Sequence, residues 1–360
     1  MKKRIFMGAI SALVIMAVSP VKAQAEVSFA GETIEILVPA DAGGGSDVYA
    51  RLFAPYWTKY LPGNPVVMIR NMPGGGQTVG ANFFDQRGPT DGTMLFVTSG
   101  STHFPYLLGD GRARYDMSSW IPVLGSPNGA AVYTTPRLGI ESWEQAAELQ
   151  DDALVFASQG PTSLDMAHAL SFELLGFEVQ NVMGFTGRGP GRIAFERGET
   201  NIDAQTTPAY LASVMPLVED GTAIPLYALG AVDADGNIQR DPTFPDLPSF
   251  PELYEHIHGE APSGDKFDVW RALYLAGFGA QKHNVLPAGT APEIVAAYRE
   301  AAEQIVADPD FQRDAAAELG AYSQFTGDQA QAIWDQVTNF PEEDRAWLAD
   351  WLMERFNIRI

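Results

Sequence analysis

One stretch of the sequence combines the residue types that bind anions. An apolar run from Ile34 to Val38 leads into Gly43-Gly44-Gly45-Ser46-Asp47, and apolar residues then recur four apart from Val48 to Tyr60. This order predicts a strand, a glycine turn and a helix whose first turn is capped by Ser46 or Asp47. The first amides of a helix have no acceptor within it, and the helix dipole places partial positive charge there. We therefore expect an anion site at the start of this helix.

A second stretch repeats this order in the middle of the chain. Leu154 to Ala157 predicts a strand, Ser158-Gln159-Gly160-Pro161-Thr162-Ser163 predicts a polar turn, and Leu164 to Leu175 predicts a helix. Two such units, one in each lobe of a protein, could direct two helix starts into one cleft. A single unit is weak evidence, because every α/β protein contains several.

Further polar residues follow other predicted strands, at the positions where ligands bind in open α/β sheets. Ser99 and His103 come after the third predicted strand and serve either ligand contact or local capping. Arg188 stands among four glycines, either as a solvated cation or as a bidentate partner of a carboxylate. Asp203 and Gln205 belong to a short strand that ends in hydrogen-bond donors and acceptors.

The start of the chain has the features of an export signal. Lys2, Lys3 and Arg4 precede an apolar run of about fourteen residues, which is shorter than the roughly 20 that span a bilayer. Ala23-Gln24-Ala25 then offers small residues for cleavage. We expect residues 1–25 to be a signal peptide and the mature protein to lie in the periplasm.

Composition excludes several kinds of site. The chain has no cysteine, which rules out disulfides, thiol nucleophiles and thiolate metal sites. Without the four basic residues of the signal it has 19 basic and 45 acidic residues, a formal charge of −26, so nucleic acid is not an expected partner. His256, His258 and Glu260 match no strong metal signature, and we expect neither a metal nor a cofactor.

Four segments, in this order, resemble the substrate-binding receptors of tripartite tricarboxylate transporters, the Bug receptor family. They are Val38-Pro39 with the glycine turn as far as Leu52, Pro65-Val66-Val67 as far as Gly76, Pro89-Thr90-Asp91-Gly92-Thr93-Met94-Leu95, and Ala276-Gly277-Phe278 as far as Val295. The likeness is clearest from Ile36 to Leu95.

The resemblance implies an α/β, two-lobed periplasmic binding protein fold (type II), in which two α/β domains joined by crossover strands close over a small carboxylate. The extended runs from Trp120 to Gly125 and from Ala130 to Thr135 are predicted to make the first crossing between the lobes, and the apolar segment from Val269 to Phe278 the return crossing. These crossings place the first domain at 26–125 and 274–360 and the second at 126–273. The resemblance also implies that one loop of each lobe binds the ligand carboxylate, with Asp203 at the cleft and with Ser99 and His103 on the segment after the third strand. The loop residues are Ala42, Gly43, Gly44, Gly45 and Ser46 in the first lobe and Ser158, Gln159, Gly160, Thr162 and Ser163 in the second.

Departures from the family pattern concern the ligand and the chain ends. Asp41 adds negative charge beside the first loop, and Phe185-Thr186-Gly187-Arg188-Gly189 replaces a Tyr-Lys-Gly segment. If Arg188 faces the cleft, we expect the ligand to carry a second acidic group. The insertion from Asp233 to Asp268 and the C-terminal helix are longer than usual. Trp347 and Trp351 share a face of that helix, which packs either on the chain itself or against a partner.

The function we expect is that of a receptor. It would capture a small organic carboxylate as a monomer and deliver it to the integral membrane subunits of a transporter. A sensor of the same fold, which signals to a membrane protein, is the alternative. A periplasmic hydrolase is a third reading, since Ser158, His168 and Asp203 could form a triad. Against it, the predicted helix places His168 among apolar residues, and no Gly-x-Ser-x-Gly motif occurs.

Overall fold

The structure, a computed structural model, describes residues 27–232, 238–279, 281–339 and 341–360. The predicted signal peptide and the start of the insertion, residues 233–237, lie outside these ranges. Within them, none of the helices has both the length and the apolar character required to cross a membrane.

Strands and helices alternate along most of the described chain. The strands are β1 (Thr33–Val38), β2 (Val66–Asn71), β3 (Met94–Val97), β4 (Ile121–Ser126), β5 (Ala130–Thr134), β6 (Leu154–Ser158), β7 (Val179–Met183), β8 (Ile202–Thr206), β9 (Ile224–Ala228), β10 (Ala231–Val232), β11 (Ile238–Gln239), β12 (Lys282–Leu286) and β13 (Phe325–Thr326). The helices are α1 (Gly45–Tyr60), α2 (Thr78–Arg87), α3 (Gly100–Leu107), α4 (Asp165–Leu174), α5 (Arg188–Glu196), α6 (Thr207–Ala209), α7 (Met215–Glu219), α8 (Phe250–His258), α9 (Asp265–Tyr274), α10 (Pro292–Ala307), α11 (Pro309–Glu318), α12 (Gly327–Val337) and α13 (Glu342–Phe356).

The first lobe is built on a six-stranded sheet with the order β13-β4-β12-β3-β1-β2. β1 pairs in parallel with β2 and β3, whereas β12 runs antiparallel to both β3 and β4. Apolar residues of β1 alternate between the two faces of the sheet. Ile34, Ile36 and Val38 pack on the side of α1 and α10, and Leu37 packs on the side of α2 and α12. The sheet is therefore covered on both faces, as expected of parallel strands joined by helices.

The second lobe contains the strands from β5 to β9. β5 lies between β8 and β9 in an antiparallel sheet, and β6 pairs with β7 in parallel. Its main core joins buried residues of β5, β6 and α4 with Phe250 and Trp270. Phe104 and Leu107 of α3 enter the same core, although α3 follows β3 of the first lobe. The two-lobed α/β fold is thus as the sequence predicts.

The chain returns to the first lobe by a different route from the predicted one. The apolar segment from Val269 to Phe278 was expected to make this crossing, but it forms α9 and a π-helical segment, Leu275–Gly279. Trp270, Leu273 and Tyr274 recur at helical spacing and are buried in the second-lobe core. The return strand is β12, at residues 282–286. Its sequence, KHNVL, starts with three polar residues, so it lacks the apolar run that marks a buried strand.

The C-terminal helix packs on the chain itself, and it does so on the second lobe. Leu348, Trp351 and Leu352 of α13 belong to the buried core that contains Trp270. Trp351 Nε1 also donates a hydrogen bond to Glu173 at the end of α4 (3.0 Å). This packing differs from the predicted assignment of 274–360 as a whole to the first domain, because the apolar face of α13 is complementary to the face of α9.

Candidate functional site

The first loop connects β1 to α1, as predicted, but it is held by a different residue. Gly44 is the N-cap of α1 and no side chain caps the helix, so the prediction that Ser46 or Asp47 caps it is wrong. Asp47 lies inside the first turn, where its Oδ2 accepts hydrogen bonds from Gly43 N (2.9 Å) and Arg51 Nε (2.8 Å). The Asp47 carboxylate therefore connects the loop to the first two turns of α1. The first amides of α1, at Gly45 and Ser46, precede the first acceptors of the helix.

This loop lies directly against the second lobe. Ala42 and Gly43 are exposed, whereas Gly44, Gly45 and Ser46 are buried. A methyl group on Gly45 would lie 1.9 Å from Thr206 Oγ1, at the end of β8. One on Gly189, in the first turn of α5, would lie 3.6 Å from Gly44 N. The starts of α1 and α5 therefore face each other across the boundary between the lobes.

The second loop follows β6 and is held by Asp165 in the same way as Asp47 holds the first. Asp165 Oδ2 accepts hydrogen bonds from Gln159 N (2.7 Å) and Ser158 Oγ (3.1 Å). Ser158 Oγ accepts from Gly160 N (3.1 Å), and Ser163 Oγ donates to Gly160 O (2.6 Å). The serines of this loop thus bond mainly within the loop, and all five of its predicted ligand-binding residues are buried.

Side chains of the first lobe bind the second loop directly. Gln77 Nε2 donates to Gln159 Oε1 (3.2 Å), and Ser101 Oγ accepts a hydrogen bond from Leu164 N (3.0 Å). Thr162 Oγ1 donates to Asp110 Oδ2 (2.6 Å). These contacts join the two lobes, so the cleft is closed in this structure.

Ser99 caps a helix, and His103 lies in the protein core. Ser99 is the N-cap of α3 and forms a capping box with Thr102, and its hydroxyl also donates to Gln77 Oε1. His103 Nδ1 lies 3.3 Å from the carbonyl oxygen of Ala276, and the ring packs edge-on against Trp334. Burial lowers the pKa of His103 to about 4, so the ring is neutral at physiological pH. Of the two roles considered for Ser99, the structure shows the capping role.

Arg188 binds acids of its own lobe. Its Nη2 donates to Asp203, its Nη1 lies 3.3 Å from Asp165 Oδ1, and its Nε donates to Ala204 O (3.0 Å). Its guanidinium also lies over the ring of Phe156, 4.5 Å from the centroid. The dicarboxylate hypothesis requires this group to be directed at a ligand instead. The structure corrects that expectation, because a guanidinium at this depth is stabilised by two internal carboxylates.

Asp203 and Gln205 complete the same buried cluster. Gln205 Nε2 donates to Asp203 Oδ2 (2.9 Å) and to the carbonyl oxygen of Arg188 (2.8 Å). The hydroxyl of Tyr133 donates to Asp203 as well. These contacts fix the first turn of α5 on β8, and that turn faces the first loop. Both residues therefore act on the cleft through the position of α5.

The residues considered for a hydrolase triad are not hydrogen-bonded to one another. Ser158 donates to Asp165, and Asp203 is bound by Tyr133, Gln205 and Arg188, as described above. His168 packs edge-on against Phe278, its Nδ1 has no hydrogen-bond partner among the described residues, and burial lowers its pKa to about 3. The three residues therefore do not form a catalytic triad in this structure.

Outside the cleft, the histidines of the insertion bind backbone oxygens. His256 Nε2 lies 2.9 Å from Glu144 O, and His258 Nε2 lies 3.1 Å from Leu174 O. Among the residues that the structure describes, no group of three or more histidines and acids has the geometry to hold a metal ion.

A large groove lies on the second lobe, away from both loops. It has a volume of about 1370 Å³ and is lined by residues near the starts of β6 and β7 and by α13, including Lys266, Trp347 and Arg355. None of the predicted loop residues lines it. Since the helix starts lie at the boundary between the lobes, we place the candidate site at that boundary.

Comparison with known proteins identifies the relatives of this chain. No protein-family model matches it. Protein BugT of Bordetella pertussis is 25% identical over 241 residues, which are 63% of this chain and 67% of that protein. A UPF0065 protein from the TAR-I ttuE-ttuC' intergenic region of Agrobacterium vitis is 35% identical over 98 residues, but the match spans only 28% of its length. This chain is therefore similar in sequence to a Bug protein over about two thirds of that protein's length.

Solved structures share the fold of this chain over nearly their whole length. The periplasmic binding protein BugD has a TM-score of 0.66 and 18% identity, and the match covers 89% of this chain and 97% of BugD. MatC of Rhodopseudomonas palustris, with bound malate, has a TM-score of 0.64 and 20% identity, with coverage of 88% and 98%. A further protein of R. palustris, with adipate, has a TM-score of 0.67 and 19% identity, with coverage of 89% and 96%.

Lys282 lies at the cleft but was not predicted from the sequence to be a site residue. This first residue of β12 is buried, and its Nζ donates to Ser46 Oγ (2.7 Å). Burial lowers the pKa of Lys282 to about 7. The signal was a single lysine between the apolar segment that ends at Phe278 and the turn at Pro287. It was overlooked because no strand was predicted there.

Proposed function

We propose that this protein is a periplasmic solute-binding receptor. It captures a small organic carboxylate in the cleft between its lobes and delivers it to the membrane subunits of a tripartite tricarboxylate transporter. The observation that carries the proposal is the meeting of two loops at one boundary, each at the start of a helix and each touching the opposite lobe. A carboxylate there would accept hydrogen bonds from the first amides of α1, at Gly45 and Ser46, which precede the first acceptors of that helix.

The relatives support the class of ligand. MatC was solved with malate and its R. palustris neighbour with adipate, and both share this fold over most of the chain. A ligand that contacts both lobes favours the closed form over the open one, and the membrane partner would recognise that form. We expect the ligand to leave chemically unchanged, since Ser158, His168 and Asp203 are not hydrogen-bonded to one another as a catalytic triad would be.

Binding and turnover can be tested together. Thermal unfolding of the protein is followed with malate, adipate and citrate, with the neutral diamide of adipate as the matched control. A carboxylate at about 100 times its dissociation constant adds roughly 2.7 kcal/mol to the free energy of unfolding. We expect at least one acid to raise Tm, the diamide to have no effect, and the acid to be recovered intact. A panel without any shift contradicts the proposal, and so does conversion of the acid.

A further inference from the structure

Lys282 differs from the other lysines of the described residues. Lys59 and Lys266 are partly exposed, and each forms an ion pair, with Asp308 (2.7 Å) and with Glu173 respectively. Lys282 is only 2% exposed, and within the described chain no ion pair of up to 4.0 Å includes it. Its Nζ has one hydroxyl partner, Ser46 Oγ. An ammonium group has three hydrogens to donate, so this one retains donors for a further acceptor.

The charges around Lys282 do not compensate for its burial. β3 and β4, which flank β12, place no charged residue beside it, and its neighbour on β4 is Ser126. On α1, Asp47 is bound by Arg51, and Tyr49 bonds with Ser126 (3.1 Å). On α3, His103 is neutral, and the nearby Lys282 contributes to its lowered pKa. A buried ammonium without a counter-ion is costly, and an anion at this place would remove that cost.

The ammonium group of Lys282, which has no counter-ion among the described residues, lies at the cleft. Its partner Ser46 lies in the first turn of α1, beside Gly45, which contacts Thr206 of the second lobe. The ammonium and the first amides of α1 therefore lie on the same side of the first loop. A carboxylate bound to those amides would lie beside a positive charge that is almost completely shielded from water, where electrostatic attraction is stronger than at the surface.

We propose that Lys282 is the counter-ion of the bound carboxylate and the residue that makes the cleft selective for anions. The inference rests on the proposed function and adds to it a specific side chain. Ser46 orients the ammonium, and the ligand supplies the negative charge that the described chain does not place there. Selection by charge then comes from β12, and the glycine turn supplies the shape of the site.

The test compares Lys282→Met, which keeps the length of the side chain and removes its charge, with Lys59→Met as the matched control. Calorimetry measures the affinity of the wild type and both variants for malate, adipate and citrate. We expect Lys282→Met to bind at least tenfold more weakly, a loss of about 1.4 kcal/mol, and Lys59→Met to match the wild type. Thermal unfolding without ligand shows whether each variant is folded.

The pH dependence of ligand affinity provides a second test. If Lys282 had only a structural role, its protonation would not change the affinity. The ligand binds the protonated lysine, whose pKa in the free protein is about 7. As pH rises from about 7 to about 9, the wild type should lose up to tenfold in affinity per pH unit, and Lys282→Met should lose nothing.

The outcomes separate the two proposals. A wild type that binds none of malate, adipate and citrate overturns the proposed function and this inference with it. A wild type that binds any of these acids, while Lys282→Met binds it equally well, overturns the inference alone. If Lys282→Met fails to fold, the wild-type pH profile decides, and an affinity that does not change from about pH 7 to about 9 overturns the inference.

Discussion

Gly45 lies so close to Thr206 that no side chain fits between them. A Cβ atom on Gly45 would approach Thr206 Oγ1 to 1.9 Å and Thr206 Cβ to 3.2 Å. Rotation of the threonine can move its hydroxyl but not its Cβ. The first loop therefore needs glycine at this position for a reason that lies in the opposite lobe, and closure of the cleft depends on it.

Gly45→Ala should hold the lobes apart. Since the added methyl group is compatible with helix α1, we expect the free protein to remain folded and the closed form to lose about 1–3 kcal/mol. Small-angle scattering should show a larger radius of gyration, and the affinity for adipate should fall at least fivefold. Gly111→Ala is the control, because a Cβ there meets no atom within 4 Å. Equal affinity in both variants would place ligand binding away from this contact.

Arg188→Met should reduce stability and affect all ligands alike. The substitution leaves Asp165 and Asp203 buried without their cation, which costs about 3–5 kcal/mol. Urea unfolding measures this loss, with the exposed Arg313→Met as control. In the folded fraction we expect equal losses of affinity for adipate and for its monocarboxylate analogue hexanoate. A selective loss for adipate would instead restore Arg188 as a ligand contact.

Stability should fall as pH drops from 6.5 towards 4. His103 and His168 have pKa values lowered by burial to about 4 and about 3, whereas an unfolded histidine has a pKa of 6.5. In this window the unfolded chain binds more protons than the folded one, so each histidine removes about 1.4 kcal/mol per pH unit. Urea unfolding at a series of pH values gives the slope. His103→Leu and His168→Leu should each lower that slope, and a slope that persists in both variants would assign it to other groups.

Asp41→Asn should strengthen the binding of anions. Asp41 Oδ2 is buried without a hydrogen-bond partner among the described residues, and a methyl group on Gly187, the N-cap of α5, would lie 3.0 Å from it. Its negative charge repels a carboxylate bound at the neighbouring loop. We expect a gain of a few fold in adipate affinity at low salt, which shrinks at about 1 M salt because the Debye length falls to about 3 Å. Weaker binding would show that Asp41 instead helps to hold α5 in place.

Local sequence patterns correctly predicted the strands, turns and helices that surround the candidate site. The strand before Gly43 and the helix after it follow from an apolar run, three glycines and a period of four residues, and none of these depends on distant parts of the chain. The second loop was located in the same way, from the strand that ends at Ser158. Each strand, turn and helix therefore follows the predicted order, because that order depends on local sequence, whereas the side-chain contacts that hold the loops do not.

The roles of individual side chains were harder to predict, because they depend on pairing between distant elements. Arg188 was considered as a ligand partner, but its acids come from α4 and β8. Asp47 was expected to cap a helix, but its carboxylate instead accepts hydrogen bonds from Arg51 and from Asn71 Nδ2 (3.0 Å), at the end of β2. Lys282 became visible only when β12 was placed between β3 and β4. A single sequence does not show which distant elements are in contact. The burial of Arg188, Asp47 and Lys282, and the partners of these side chains, could therefore not be predicted from it.

The place of β12 in the first sheet also affects how the protein can fold. Its two neighbours, β3 and β4, are synthesised early but do not pair with each other. Both pair with β12, which follows about 155 residues after β4. A chain that stops before residue 282 would leave two unprotected strand edges in the middle of the sheet, which are sites for aggregation. Pairing over such a sequence separation is slow. The sheet of the first lobe can therefore be completed only after nearly the whole polypeptide has been synthesised. We expect the incomplete sheet to depend on chaperones until β12 pairs with β3 and β4.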